Sequence, residues 1–173
     1  MRDQEMAMTA TRIDRGSTDT TTIYSEGGNL VFERVFDAPR DQVWKAFTDP
    51  AIVPRWWGPR GTTTTVVEMD VRPGGAWRYV SSAPGREDVA FFGEYLEVDP
   101  PERFRWTFLF DVDGMGPQGG PETFRFEDLG GKTRVISIGE MGSPEAIDGA
   151  IATGMIGGAL ETWDRLAEEL AKG

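Results

Sequence analysis

The sequence predicts an α+β fold: a curved antiparallel sheet of six to seven strands around a long C-terminal helix, with two short helices after the first strand. Three observations predict it. Residues 61–140 carry successive period-2 runs separated by Gly, Pro and Asp turns. Residues 143–171 carry an apolar stripe at helical spacing. Residues 32–59 pass from strand alternation to helical turns and end on paired tryptophans.

In the first strand, Val31, Glu33 and Val35 alternate with Phe32, Arg34 and Phe36. Pro39 stands where a first helical turn tolerates a missing N–H, and Val43, Trp44 and Phe47 then share one helical face. Asp49-Pro50 repeats an N-cap followed by proline, and the turn it opens ends on Trp56-Trp57 before Gly58-Pro59. Two adjacent indoles demand a large apolar space. Strands follow at Thr62–Val71, Ala76–Ser82, Val89–Val98, Phe104–Phe110, Thr123–Asp128 and Thr133–Ile138. Pro73-Gly74-Gly75, Asp99-Pro100-Pro101 and Gly130-Gly131 supply turns between them. Asp111–Pro121 reads as a Gly/Pro-rich loop, either an ordinary surface loop or a lid. Ser143 as N-cap and Pro144 at the first helical position open a helix to about Ala171. Its stripe is Ile147, Ile151, Met155, Leu160, Trp163, Leu166 and Leu170.

A chain of 173 residues is read as one domain over residues 29–173. Residues 1–28 form a polar extension, expected to be mobile to about residue 18, with Thr20–Tyr24 able to accompany the first strand. Net charge is −11, which disfavours nucleic acid and anionic membrane as partners. No run suits a spanning helix and the amino terminus has no apolar h-region, so a cytoplasmic protein is expected. The chain has no Cys and no His. Disulfides, thiol nucleophiles, histidine-based zinc sites and the usual neutral-pH general base are thereby excluded. Neither nucleotide-binding fingerprint is present, and no cofactor or metal is expected.

Three stretches carry a family resemblance: Phe32–Pro59, the Arg72-Pro73-Gly74-Gly75 turn, and Gly93 followed by Pro100-Pro101-Glu102-Arg103. With the terminal helix holding Ala152-Thr153-Gly154-Met155 and Asp164-Arg165-Leu166, they run in order over residues 29 to 172. The chain resembles proteins similar to the C-terminal domain of activators of the heat-shock-protein-90 ATPase, within the START-like, helix-grip (SRPBCC) superfamily. The resemblance implies the helix-grip topology and a ligand cavity between sheet and helix, entered near the helix and its facing loops. It also implies a chaperone-linked, stress-response role, although full-length activators carry a separate amino-terminal domain that 28 residues are too short to supply.

Phe104, Trp106, Phe108 and Phe110 share one strand face, and Phe124 and Phe126 repeat the arrangement. These rings are core, cavity wall, or both. Gly149, Gly154, Gly157 and Gly158 lie in the terminal helix, each costing about 1 kcal/mol relative to Ala. They signal tight packing on the sheet, a bend, or space left for a ligand. Glu68, Asp70 and Glu94 are candidate interior carboxylates. Arg78, Arg105, Arg125 and Arg134 instead suggest a solvated charge ladder with Glu94, Glu97 and Glu127. Glu161 and Arg165 read as an i, i+4 helix pair.

The expected function is binding of a small hydrophobic, aromatic or lipid-like ligand in an internal cavity, by a monomer or homodimer. Expected ligand-facing residues are Trp56, Trp57, Trp77, Tyr79, Phe108, Phe110, Met155 and Trp163. The alternatives are a cyclase- or hydrolase-type enzyme, using a carboxylate or Tyr79 for proton transfer, and a chaperone-interacting protein. No catalytic residue is assigned.

Overall fold

A computed structural model describes residues 11–112 and 116–173. The elements in order are β1 (Arg12–Asp14), β2 (Thr22–Glu26), β3 (Asn29–Phe36), α1 (Arg40–Thr48), α2 (Val53–Trp56), β4 (Thr63–Met69) and β5 (Ala76–Ser82). There follow β6 (Val89–Asp99), β7 (Arg103–Val112), β8 (Gly116–Asp128), β9 (Thr133–Glu140), α3 (Pro144–Ala152) and α4 (Met155–Leu170). One antiparallel sheet holds all nine described strands in the order β1-β2-β3-β9-β8-β7-β6-β5-β4. Its inner face is covered by α1, α2 and the C-terminal helices, giving the expected α+β, helix-grip arrangement.

Nine strands stand where the sequence predicts six to seven. The additional pair, β1 and β2, comes from the segment read as a polar extension, so the sheet begins before residue 29. β2 pairs along its whole length with β3, from Thr22 opposite Glu33 to Glu26 opposite Asn29. It buries Ile23 and Ser25. β1 has no buried side chain; backbone pairing and the Arg12–Glu26 ion pair hold it instead. A strand held this way leaves no hydrophobic period in the sequence. Residues 1–10, the start of the expected mobile tail, lie outside the described residues.

Two other expectations change. Most of the Asp111–Pro121 stretch is strand rather than loop, with Phe110 opposite Gln118 and Thr107 opposite Pro121. Residues 113–115, the tip of the proposed lid, lie outside the described residues. The single terminal helix is two helices. Ser143 Oγ accepts from Ala146 N–H at 3.1 Å and starts α3 as expected, but Gly154 adopts φ +86° and breaks the run before α4. A left-handed residue cannot continue a right-handed helix, and glycine tolerates that geometry best.

The core is largely aromatic. Phe47 of α1 packs 5.1 Å from Phe126 and 4.8 Å from Trp56, whose Nε1–H donates to Ala46 O at 2.9 Å. Trp163 of α4 meets Phe32 and Phe36 edge-on.

The helix break generates a paired test. A Cβ at Gly154 meets open space but would sit at positive φ, whereas one at Gly157 meets open space with no such strain. Gly154→Ala should lower stability by about 1 kcal/mol, and Gly157→Ala should raise it by about 0.5–1 kcal/mol. Urea midpoints of the two variants check this; equal shifts would sink the assignment of Gly154 as the break.

Candidate functional site

The site is built on the inner faces of β5 to β9. Trp77 of β5 and Trp106 of β7 stack with ring centroids 3.9 Å apart, across the intervening β6. Gly93 makes this reach possible. It lies opposite Trp77, and a Cβ there would come within 2.0 Å of Thr107 O. With that space empty, Trp77 Nε1–H donates to the same Thr107 carbonyl at 3.0 Å. The stripe on β7 then grades outward. Phe104 and Trp106 are 1% and 3% exposed, whereas Phe108 and Phe110 are only half-buried.

Trp57 closes the wall from the α2 side, edge-on to Tyr79 at 5.1 Å and to Phe91 at 5.0 Å. Its backbone is fixed from two directions: Thr64 Oγ1–H donates to Trp57 O at 2.6 Å, and Arg165 of α4 donates to Gly58 O at 2.8 Å. Glu161 accepts from Arg60 N–H at 3.1 Å. Glu161 and Arg165, expected to support their own helix, instead bind the turn that carries Trp57.

Glu122 places a carboxylate on this aromatic face. It follows the inward alternation of Phe124 and Phe126 on β8 and lies between Trp106 on β7 and Gly139 on β9. One oxygen accepts from Trp106 Nε1–H at 2.9 Å, the other from Ser137 Oγ–H at 3.3 Å. Burial pushes its pKa up to about 7, opposed by these two hydrogen bonds; no charged group contributes. Burial also raises both interior phenols, Tyr79 and Tyr95. Tyr79 O–H donates to Met69 Sδ at 3.7 Å, which leaves it a poor proton-transfer group near neutral pH.

The structure brings Trp57, Trp77, Tyr79 and Phe108 into one aromatic cluster, with Phe110 at its outer end. Trp56 and Trp163 lie deeper in the core, and Met155 is half-buried at the start of α4. The three carboxylates singled out from sequence do not enter the site. Glu68 and Glu94 are exposed, and Asp70 pairs with Arg72 at 2.8 Å. Arg105 pairs with Glu140 and Arg134 with Glu127, as a surface charge ladder requires. Sequence reasoning missed Glu122 because it ended the preceding loop at Pro121 and began the strand at Thr123. Its spacing of two and four residues from Phe124 and Phe126 was the available signal.

A cavity of about 50 Å³ lies between Trp56, Trp57, Tyr79, Trp106, Phe124 and Trp163. A wider depression of about 540 Å³ lies on the solvent side of the sheet, among polar residues that include Asp19, Thr22, Glu33 and Arg134. Of the two, the inner cavity adjoins the aromatic wall.

A family model described as "Activator of Hsp90 ATPase homolog 1-like protein" matches residues 37–171. Three crystal structures are similar. A Mycobacterium smegmatis protein is 28% identical and covers 94% of this chain and 99% of its own, with a TM-score of 0.75. A Rhodobacter sphaeroides protein at 29% identity covers 90% and 100%, with a TM-score of 0.79. A Chromobacterium violaceum protein at 30% identity covers 83% and 95%, with a TM-score of 0.64. No curated protein matches the chain.

The Glu122 environment sets the sign of a pH effect. Its folded pKa of about 7 lies above the ordinary 4.5, so between these values the native state holds a proton that the unfolded chain has released. Its contribution therefore favours the fold below pH 4.5 and is lost as pH rises through 7. The loss is at most about 3 kcal/mol, less whatever solvation the half-buried side chain keeps. Urea unfolding at pH 5 and pH 8 should show Glu122→Gln losing less stability than the wild type over that interval. Parallel pH dependences would contradict a half-buried carboxylate without a counter-charge.

Proposed function

The chain belongs to the Activator of Hsp90 ATPase homolog 1-like family, and from that premise we propose that it binds a small hydrophobic or aromatic molecule between sheet and C-terminal helices. The observation that carries this reading is the graded aromatic wall. Trp106 is sealed, while Phe108, Phe110, Phe91 and Trp57 beyond it remain half-buried. The half-buried apolar residues of the helical side, Ile151, Met155, Ile156 and Leu160, flank the Gly154 break. Rings on the sheet side and aliphatic side chains on the helical side, both left half in water, are an unfinished burial, which an apolar guest completes.

A cavity of about 50 Å³ is far smaller than the ~300–1,000 Å³ of ordinary small-molecule sites. Binding on this reading requires α3 and the first turn of α4 to move outward about Gly154. The ligand then rests on Trp57, Phe108 and Phe110, under Met155. Trp77, Tyr79, Trp56 and Trp163 form the packed floor behind it. No step of catalysis is assigned to any residue.

Thermal-shift screening against lipids, flavonoids, polyketide-like aromatics and sterols, with tryptophan fluorescence in parallel, tests the reading. A ligand at a hundred times its Kd stabilises the native state by about 2.7 kcal/mol. The shift should weaken in Trp57→Ala and vanish in Met155→Trp, which fills the entrance. A flat panel would count against internal binding and bring forward a chaperone contact through the surface, the role that the family description names.

A further inference from the structure

The placement of Glu122 narrows the ligand class. Its carboxylate sits on an indole-lined face and takes only neutral donors, from Trp106 and Ser137. Among the described residues no Lys or Arg pairs with it; Arg105 turns to Glu140 and Arg34 to Asp164 of α4. An ionised carboxylate held without a counter-charge is unfavourable, and a residue needed only to accept from Trp106 and Ser137 need not have been acidic. A carbonyl acceptor such as Gln would satisfy both donors without the cost of charge.

We propose that Glu122 is the polar anchor of the ligand site and that the ligand is an aromatic or hydrophobic body bearing a protonated amine. The inference rests on the binding reading above and specifies its chemistry. Among the described residues each carboxylate oxygen takes one donor, which leaves it a further lone pair, and an ammonium group offers up to three N–H donors. The resulting contact is charge-assisted, the stronger kind of hydrogen bond. The protein's net charge of −11 draws cations toward it and repels anions. A fatty acid or other carboxylate ligand would set like charge against Glu122. A purely apolar ligand would bury the carboxylate further and gain nothing from it.

Three probes of one shape separate these cases at pH 8: 2-naphthylmethylamine, 2-naphthylmethanol and 2-naphthoate, titrated calorimetrically into the full chain. The amine should bind about tenfold or more tightly than the alcohol, with the acid weakest. Glu122→Gln should abolish the preference for the amine while binding the alcohol at least as well as the wild type. Its thermal unfolding and tryptophan emission establish that it is folded. Glu94→Gln, which removes an exposed charge, should leave the preference intact, and so should 0.5 M salt. A wild type that binds the alcohol as well as the amine overturns the anchor and leaves ligand binding standing. A preference that survives in Glu122→Gln assigns it to the general surface charge and also overturns the anchor. Failure of all three probes, together with a flat thermal-shift panel, removes the binding reading itself.

Discussion

Trp77 and Trp106 stack across β6, and each indole has an N–H that must find an acceptor once water is gone. Trp77 donates to Thr107 O, a backbone acceptor made reachable by the missing side chain at Gly93. Trp106 faces the other way and donates to Glu122. One apolar contact thus imposes two polar ones, and the second brings a carboxylate into the interior. The surrounding rings, Tyr79, Tyr95, Phe104 and Phe108, all pack on this pair. Truncating either tryptophan would cost about 3–5 kcal/mol through lost burial and the cavity left behind.

The strands from β3 to β9 were legible because burial of one sheet face writes a period of two. Phe104 and Trp106 are buried as the alternation requires, and Phe124 and Phe126 follow suit. The caps were legible because they are local chemistry, as at Ser143-Pro144. What stayed hidden depended on partners distant in the chain. β1 is fixed by backbone pairing, and the loop after it by Arg15, which reaches Asp148 of α3 at 2.7 Å. Gly154 was one of four helical glycines, and only its dihedral separates it from Gly149 and Gly157. Glu122 was hidden because the strand, expected to begin at Thr123, begins at Gly116. In a strand the face of a residue is known only when the strand is known to include it.

The C-terminal helices are anchored unequally, and this decides where the interior can open. The later turns of α4 bury Trp163, Leu166 and Leu170. They are further held by Arg34–Asp164, by Arg165 to Gly58, and by Gln42 Nε2–H donating to Leu170 O at 3.2 Å. α3 buries Ile147 alone, and an ion pair from the half-buried Arg15 to the exposed Asp148 ties it to the sheet side. Exposed ion pairs contribute little, about 0–1 kcal/mol. The segment on either side of Gly154 is therefore the cheapest part of the roof to displace.

That asymmetry divides access from recognition. On the binding reading proposed above, the energy needed to lift α3 would be subtracted from whatever affinity a guest gains, so a guest would have to offer apolar area to Trp57, Phe108 and Phe110 beyond that cost. Glu122, by contrast, lies on β8 between β7 and β9, and among the described residues its hydrogen-bond partners, Trp106 and Ser137, are both on the sheet. On the proposed reading, a half-buried carboxylate held on the sheet and reached past the helices would meet each guest in the same geometry. Under the proposed anchor, its charge would be expressed as a preference among guests, because the cost of opening would be common to all of them.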